Sequence, residues 1–133
     1  MDNSETYIKM SEKAEEIQTS KTVWERGDWY YSEGYGIEVI PVNSVEYAQR
    51  PNFIWLPRQD QLQEMLPEYS HFGLLGAFYD FVFCPPDEDR IMGDEAKYVE
   101  EYPKQFTSME QLWLAFVMKE KFNKVWDGET WRH

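Results

Sequence analysis

Apolar residues recur at helical spacing in several parts of the chain. In the first twenty residues, apolar residues recur at intervals of three or four positions. This spacing places four side chains on one side of a helix: Tyr7, Met10, Ala14 and Ile17. Ser4 precedes this stripe and is a suitable N-cap for the helix, which we expect to run to about Thr19. A second helix is predicted from Arg58 to Leu66, because Pro57 suits the position that opens a helix.

The segment from Ser70 to Phe83 is almost wholly apolar and is too long for a typical strand, so we expect a buried helix there. Four of its side chains are expected to share the inward face: Leu75, Phe78, Tyr79 and Val82. Gly73 and Gly76 lower helix propensity, which indicates close packing of the helix against another element.

The last helix is predicted from Ser108 to about Asn123. Ser108 and Gln111 have the spacing of a capping box. The inward stripe of this helix is expected to hold four apolar residues: Met109, Leu112, Trp113 and Phe116.

A hairpin is predicted after this helix, because Asp127-Gly128 is a favoured pair for a two-residue type I′ turn. Such a turn pairs Trp126 with Glu129. It places Trp126 and Trp131 as diagonal neighbours on one face, within aromatic reach of each other.

Strands are expected where β-branched and aromatic residues lie between turn residues, at 22–24, 29–31, 37–42 and 52–56. The predicted fold class is therefore α+β. A small antiparallel sheet, built from strands in 22–56 plus the C-terminal hairpin at 124–132, packs against three to four helices. We expect a single domain over residues 1–133, with a mobile acidic loop at about 86–105.

The chain is strongly acidic, since 25 Asp and Glu against 13 Lys and Arg give a net charge of −12. This charge argues against nucleic-acid binding, which needs cations to replace phosphate counterions, and against an anionic membrane surface. The acids are densest in one segment, which holds Asp87, Glu88, Asp89, Asp94, Glu95, Glu100 and Glu101. A solvated surface is the simple interpretation, and a partner protein with a basic surface is the alternative.

Cysteine and histidine are sparse, and although carboxylates are plentiful, nothing in the sequence singles out a catalytic pair. The one cysteine, Cys84, has no partner for an internal disulfide, and the N-terminal residues lack the features of a secretory signal, so we expect a cytoplasmic location. A nucleophilic pair of Cys84 with His71 is conceivable, but a buried, inert thiol is favoured. We therefore predict no enzymatic activity, no catalytic residues, no cofactor and no metal site.

Aromatic residues make up 17% of the chain, and several cluster early in the sequence. The cluster consists of Trp24, Trp29, Tyr30, Tyr31 and Tyr35. Packing in the core is the favoured interpretation. Because side chains alternate along strands, some of these residues face outward, and an aromatic patch that binds a small molecule or a nucleotide is the alternative.

Two stretches, Ile54–Met65 and Met109–Lys121 with its continuation to Trp131, resemble small uncharacterised proteins encoded in bacteriophages and prophages of gut-type bacteria. The resemblance covers roughly the C-terminal half of the chain. It implies a phage product that acts in the bacterial cytoplasm, and it brings no catalytic or ligand residues with it.

This context favours an interaction protein that binds and inhibits or modulates a host factor. A small acidic protein is suited to the basic groove of a nucleic-acid-handling or defence enzyme, in the manner of an anti-CRISPR protein or a DNA mimic. The acids between Asp87 and Glu101 would then carry much of the attraction. The alternative is a small-molecule or nucleotide-binding module that uses the aromatic residues from Trp24 to Tyr35.

Overall fold

The computed structural model describes residues 1–43, 52–83 and 102–133, and within these ranges it confirms the α+β fold class. The helices are α1 (Glu5–Lys13), α2 (Glu15–Ser20), α3 (Gln59–Glu64), α4 (His71–Phe83) and α5 (Met109–Phe122), with a short 3-10 turn at Pro103–Gln105. The strands are β1 (Trp29–Ser32), β2 (Gly36–Val39), β3 (Ile54–Leu56), β4 (Val125–Trp126) and β5 (Trp131–Arg132).

The predicted N-terminal helix is two helices, because the backbone leaves the helical region at Ala14 (φ −82°, ψ 71°). The predicted cap is confirmed, since the Ser4 hydroxyl accepts a hydrogen bond from the Tyr7 amide. The predicted apolar stripe is buried in spite of the break. Its first residue is fixed further by a 2.6 Å hydrogen bond from the Tyr7 hydroxyl to the carbonyl oxygen of Pro57.

A three-stranded antiparallel sheet has the order β2-β1-β3. Trp29 lies opposite Val39 on one side and Leu56 on the other, which fixes both registers. Along β1 the burial alternates: Tyr30 and Ser32 are buried, whereas Trp29 and Tyr31 are half-buried. The sheet therefore has one inner face, as expected for strands of an antiparallel sheet that is covered on one side.

Helix α5 is the most deeply buried element among the described residues. Every side chain from Trp113 to Met118 is buried, so the helix is enclosed on all sides. Its predicted cap is confirmed, because Ser108 accepts a hydrogen bond from the Gln111 amide. The predicted inward stripe needs one correction: Met109, in the first turn, is exposed.

The C-terminal hairpin forms, but its predicted register is wrong. Trp126 lies directly opposite Trp131, with ring centroids 5.0 Å apart, so four residues rather than two connect the strands. The Asp127 carboxylate accepts hydrogen bonds from the amides of Glu129 and Thr130, which stabilises this longer turn. The Trp131 indole N–H also donates to the Met10 carbonyl, and this contact positions the second strand.

One carboxylate, that of Asp28, is buried and joins three separate segments of the chain. It lies 2.7 Å from the Lys21 ammonium at the end of α2, and it accepts a 2.6 Å hydrogen bond from the Gln61 amide in α3. The Arg58 guanidinium lies 3.7 Å away and donates to the neighbouring carbonyl of Gly27. The carboxylate therefore holds α2, the turn before β1 and the start of α3 together.

Burial by itself raises the pKa of Asp28, because it penalises the charged form. The hydrogen bonds from Lys21, from the Glu25 amide and from Gln61 act in the opposite direction and outweigh it, so the pKa lies below its ordinary value. The carboxylate is thus held ionised in the folded protein. The Lys21 ammonium is held in turn between this carboxylate and the face of the Trp55 ring, 4.5 Å from the ring centroid.

Across the three described ranges, none of the helices combines the length and the apolar character that crossing a membrane requires.

We predict that Asp28→Asn lowers the free energy of unfolding by about 2 kcal/mol, because it removes the charge that the half-buried Lys21 ammonium faces and weakens the hydrogen bonds to this buried carboxylate. Chemical denaturation monitored by circular dichroism measures this loss. The matched control is Glu33→Gln, which removes one exposed carboxylate from a turn and should change stability by less than about 0.5 kcal/mol. Equal losses in the two variants would contradict a structural role for Asp28.

Candidate functional site

Helix α4 differs from the other described helices in its composition. Between His71 and Phe83 it has one acid, Asp80, and no lysine or arginine. The helix begins after Ser70, whose hydroxyl accepts a 3.1 Å hydrogen bond from the Gly73 amide. A helix that is apolar on all sides is stable in water only where other surfaces cover it.

The inner side of α4 packs on α5 through aromatic rings. The Phe78 ring stacks on the Trp113 indole, with a centroid distance of 3.9 Å and an angle of 5° between the planes. The Phe81 ring lies 5.3 Å from the Phe116 ring. These contacts fix which side of α4 faces the core.

The opposite side of α4 carries large apolar side chains in contact with solvent. The exposed fractions are 90% for Phe72, 64% for Leu75, 56% for Tyr79 and 68% for Phe83. Because these four residues are three or four positions apart, or whole multiples of a helical turn, they lie on one side of the helix. Gly76 lies on the same side, between Leu75 and Tyr79. We refer to Phe72, Leu75, Gly76, Tyr79 and Phe83 as the outer face of α4.

The outer face has bulky ends and an open gap between them. The Tyr79 and Phe83 rings contact each other, with centroids 5.0 Å apart. A Cβ atom built on Gly76 would meet no other described atom within 4 Å, so the space above this glycine is empty. The outer face is therefore a ridge of rings with a notch at Gly76.

The size of the outer face is that of a binding surface. An aromatic side chain presents roughly 200 Å², so the three rings at their exposed fractions leave about 400 Å² of apolar surface, to which Leu75 adds. Isolated exposed apolar residues are ordinary, whereas the largest contiguous apolar patch of a protein is of about this size and is often functional.

Two predictions for this helix need correction. Leu75 and Tyr79 were expected to face inward with Phe78 and Val82, but they are exposed. Gly76 was expected to pack closely against another element, and no described element lies there. The cause is the composition: a helix that is apolar all round has no polar side to indicate which face is buried. The available signal was the regular spacing of Phe72, Tyr79 and Phe83.

The aromatic residues from the early cluster do not form one surface. Trp24 and Tyr30 are buried, and both pack against Phe53, whose ring stacks on Tyr30 at 4.2 Å, so these two are core residues rather than patch residues. Trp29 and Tyr31 lie half-buried on the other face of β1, and Tyr35 is 81% exposed in the turn after it. Alternation along the strand separates them.

The acidic residues predicted to bind a partner all lie outside the described residues: Asp87, Glu88, Asp89, Asp94, Glu95, Glu100 and Glu101. The end of the predicted acidic loop is described and is part of the core. Tyr102 is buried, and its hydroxyl accepts a 2.9 Å hydrogen bond from the Trp126 amide. Tyr102 therefore belongs to the core and not to a mobile loop.

Among the described residues, no group of three or more His, Cys, Asp or Glu side chains is arranged to hold a metal ion. His71 is exposed at the start of α4, and Cys84 lies outside the described residues. The outer face of α4 remains as the candidate site of the described structure.

No protein-family model, no curated protein and no solved structure matches this chain. The resemblance to phage-encoded proteins therefore stays a prediction from the sequence.

We predict that a phenylalanine-to-alanine substitution lowers stability strongly on the inner side of α4 and hardly at all on its outer face. Phe78→Ala should lower the free energy of unfolding by about 3 kcal/mol, because it removes a ring stacked in the core. Phe72→Ala should change it by less than about 0.5 kcal/mol at low protein concentration, because this ring contributes no packing within the chain. Denaturation of both variants in urea provides the measurement. A loss at Phe72 as large as that at Phe78 would contradict the exposed position of the outer face.

Proposed function

We propose that this chain is an interaction protein and that the outer face of α4 is its contact surface with another protein. The observation that supports this proposal is the exposure of four large apolar side chains on one side of a regular, capped helix. Their burial against a partner removes apolar surface from water, which is the main driving force of protein association. Nothing in this contact requires an enzymatic role.

The shape and charge of the outer face favour a protein over other ligands. The face is a convex ridge, whereas small molecules bind in concave pockets that cover most of their surface. An anionic membrane repels a chain with a net charge of −12. The partner should therefore present an apolar surface of similar size. Its binding should resist salt, since Asp80 at the edge of the face is the one acid of the helix.

We predict that a photo-crosslinking amino acid at position 72 forms covalent adducts with a protein in cells, because Phe72 is the most exposed residue of the outer face. The matched control is the same amino acid at Tyr35, which is similarly exposed but lies in the turn after β1. Gel shifts and mass spectrometry identify the adducts. Absence of adducts at 72, or equal adducts at both positions, would contradict the proposal.

A second proposal concerns the acidic charge. We infer from the net charge of −12 that the chain also binds a basic surface of a host factor, such as a nucleic-acid-handling or defence enzyme. The acids from Asp87 to Glu101 are the proposed contacts. The resemblance to phage-encoded proteins supports this context, and the aromatic alternative is weakened because Trp24 and Tyr30 belong to the core.

We predict that neutralising five acids of that segment weakens binding to a basic host partner at least tenfold and makes the remaining affinity less sensitive to salt. The variant combines D87N, E88Q, D89N, E100Q and E101Q. Titration at several salt concentrations measures the effect, because screening weakens contacts between exposed charges. Unchanged affinity would reject the acidic contact, and it would leave the proposal for α4 intact.

A further inference from the structure

We propose that the protein bound at the outer face of α4 is a second copy of this chain, with the two helices antiparallel across a two-fold axis. This inference rests on the proposed function of the same face and names its partner. It follows from the distribution of large and small residues along the helix.

The outer face is complementary to itself in one register. When the two-fold axis passes between residues 77 and 78, Phe72 lies opposite Phe83 of the second copy, and Phe83 lies opposite its Phe72. In the same register Gly76 lies opposite Tyr79 of the second copy. A two-fold interface requires this reciprocity, since each contact must occur twice.

The notch at Gly76 is the feature that a second copy explains. Glycine in the middle of a helix lowers its stability, and nothing in the described part of this chain packs over Gly76. Gly73 differs, because a Cβ atom there would lie only 3.1 Å from the Ser70 hydroxyl that caps the helix. A tyrosine ring from a second copy fits above Gly76, where the missing side chain allows the helices to approach closely.

The area and the charge together indicate a weak, reversible dimer. The two outer faces together provide about 1,000 Å², which is the lower limit for a specific interface. Two chains that each carry a net charge of −12 repel each other, and dissolved salt screens this repulsion. Salt should therefore strengthen self-association, whereas it weakens binding to a basic partner.

The test is sedimentation velocity of the full chain over a range of concentrations and salt. We expect the wild type to shift from the 16.0 kDa monomer to twice that mass, and to do so at lower concentration when salt is raised. Tyr79→Glu should weaken the dimer at least tenfold. Tyr35→Glu, with the same change of charge at an exposed tyrosine outside α4, should leave it unchanged.

The Gly76→Leu variant distinguishes a specific interface, in which a ring fits above Gly76, from non-specific association of apolar surfaces. The variant adds apolar surface to the face, so non-specific association would become stronger. A ring that fits above Gly76 would instead be displaced, and we expect the dimer to weaken at least tenfold. The helix itself should gain stability, because leucine is a better helix former than glycine, and a melting temperature raised by a few degrees confirms that the variant folds.

The antiparallel arrangement has its own test. In a Cys84→Ser background, a Phe72→Cys chain is mixed with a Phe83→Cys chain, so that the mixed dimer loses one Phe72–Phe83 contact and keeps the other. Each chain then carries one thiol, and a thiol crosslinker can join thiols only between copies. We expect peptide mapping to find links from 72 to 83. Links of 72 to 72 would overturn the proposed register.

Failure of this inference is distinguishable from failure of the proposed function. A chain that stays monomeric at every concentration, while position 72 forms adducts with a different protein, overturns the dimer and supports α4 as a contact surface. A monomeric chain without adducts at position 72 overturns both.

Discussion

The burial of α5 on all sides is the constraint on which the rest of the described structure depends. Its side chains from Trp113 to Met118 are buried, and the helix is covered by α1, α3, α4 and strand β4. A chain of 133 residues has a limited number of elements with which to surround a helix. Helix α4 is consequently one of the covering elements, and its own far side is left in water.

The polar counterpart of this core is the Asp28 carboxylate. The chain has a large excess of acid, and Asp28 is the acid that is buried among the described residues. Its carboxylate contacts the Lys21 ammonium, lies near the Arg58 guanidinium and accepts two hydrogen bonds from neutral donors. Its contacts tie the end of α2 and the start of α3 to the turn before β1. The sheet and the helices are therefore joined through this carboxylate.

Acidic charge and an apolar helix face have complementary effects on association. Net charge far from zero keeps a protein soluble and opposes non-specific contact between its copies. An exposed ridge of rings on such a chain is therefore tolerated, and it favours contacts that fit well over general adhesion. A partner that matches the notch at Gly76 gains apolar burial without meeting a lysine or an arginine on the helix.

Apart from the break at Ala14, the sequence by itself determined where the described helices lie, the caps at Ser4 and Ser108 and the buried N-terminal stripe, because these depend on local spacing and on hydrogen bonds within a few residues. The tertiary structure decided the hairpin register, since the Trp131 indole bonds to Met10, far away in the sequence. It also decided which side of α4 is exposed. That helix is apolar all round, and the packing of Phe78 and Phe81 on α5 selects the face that remains in solvent.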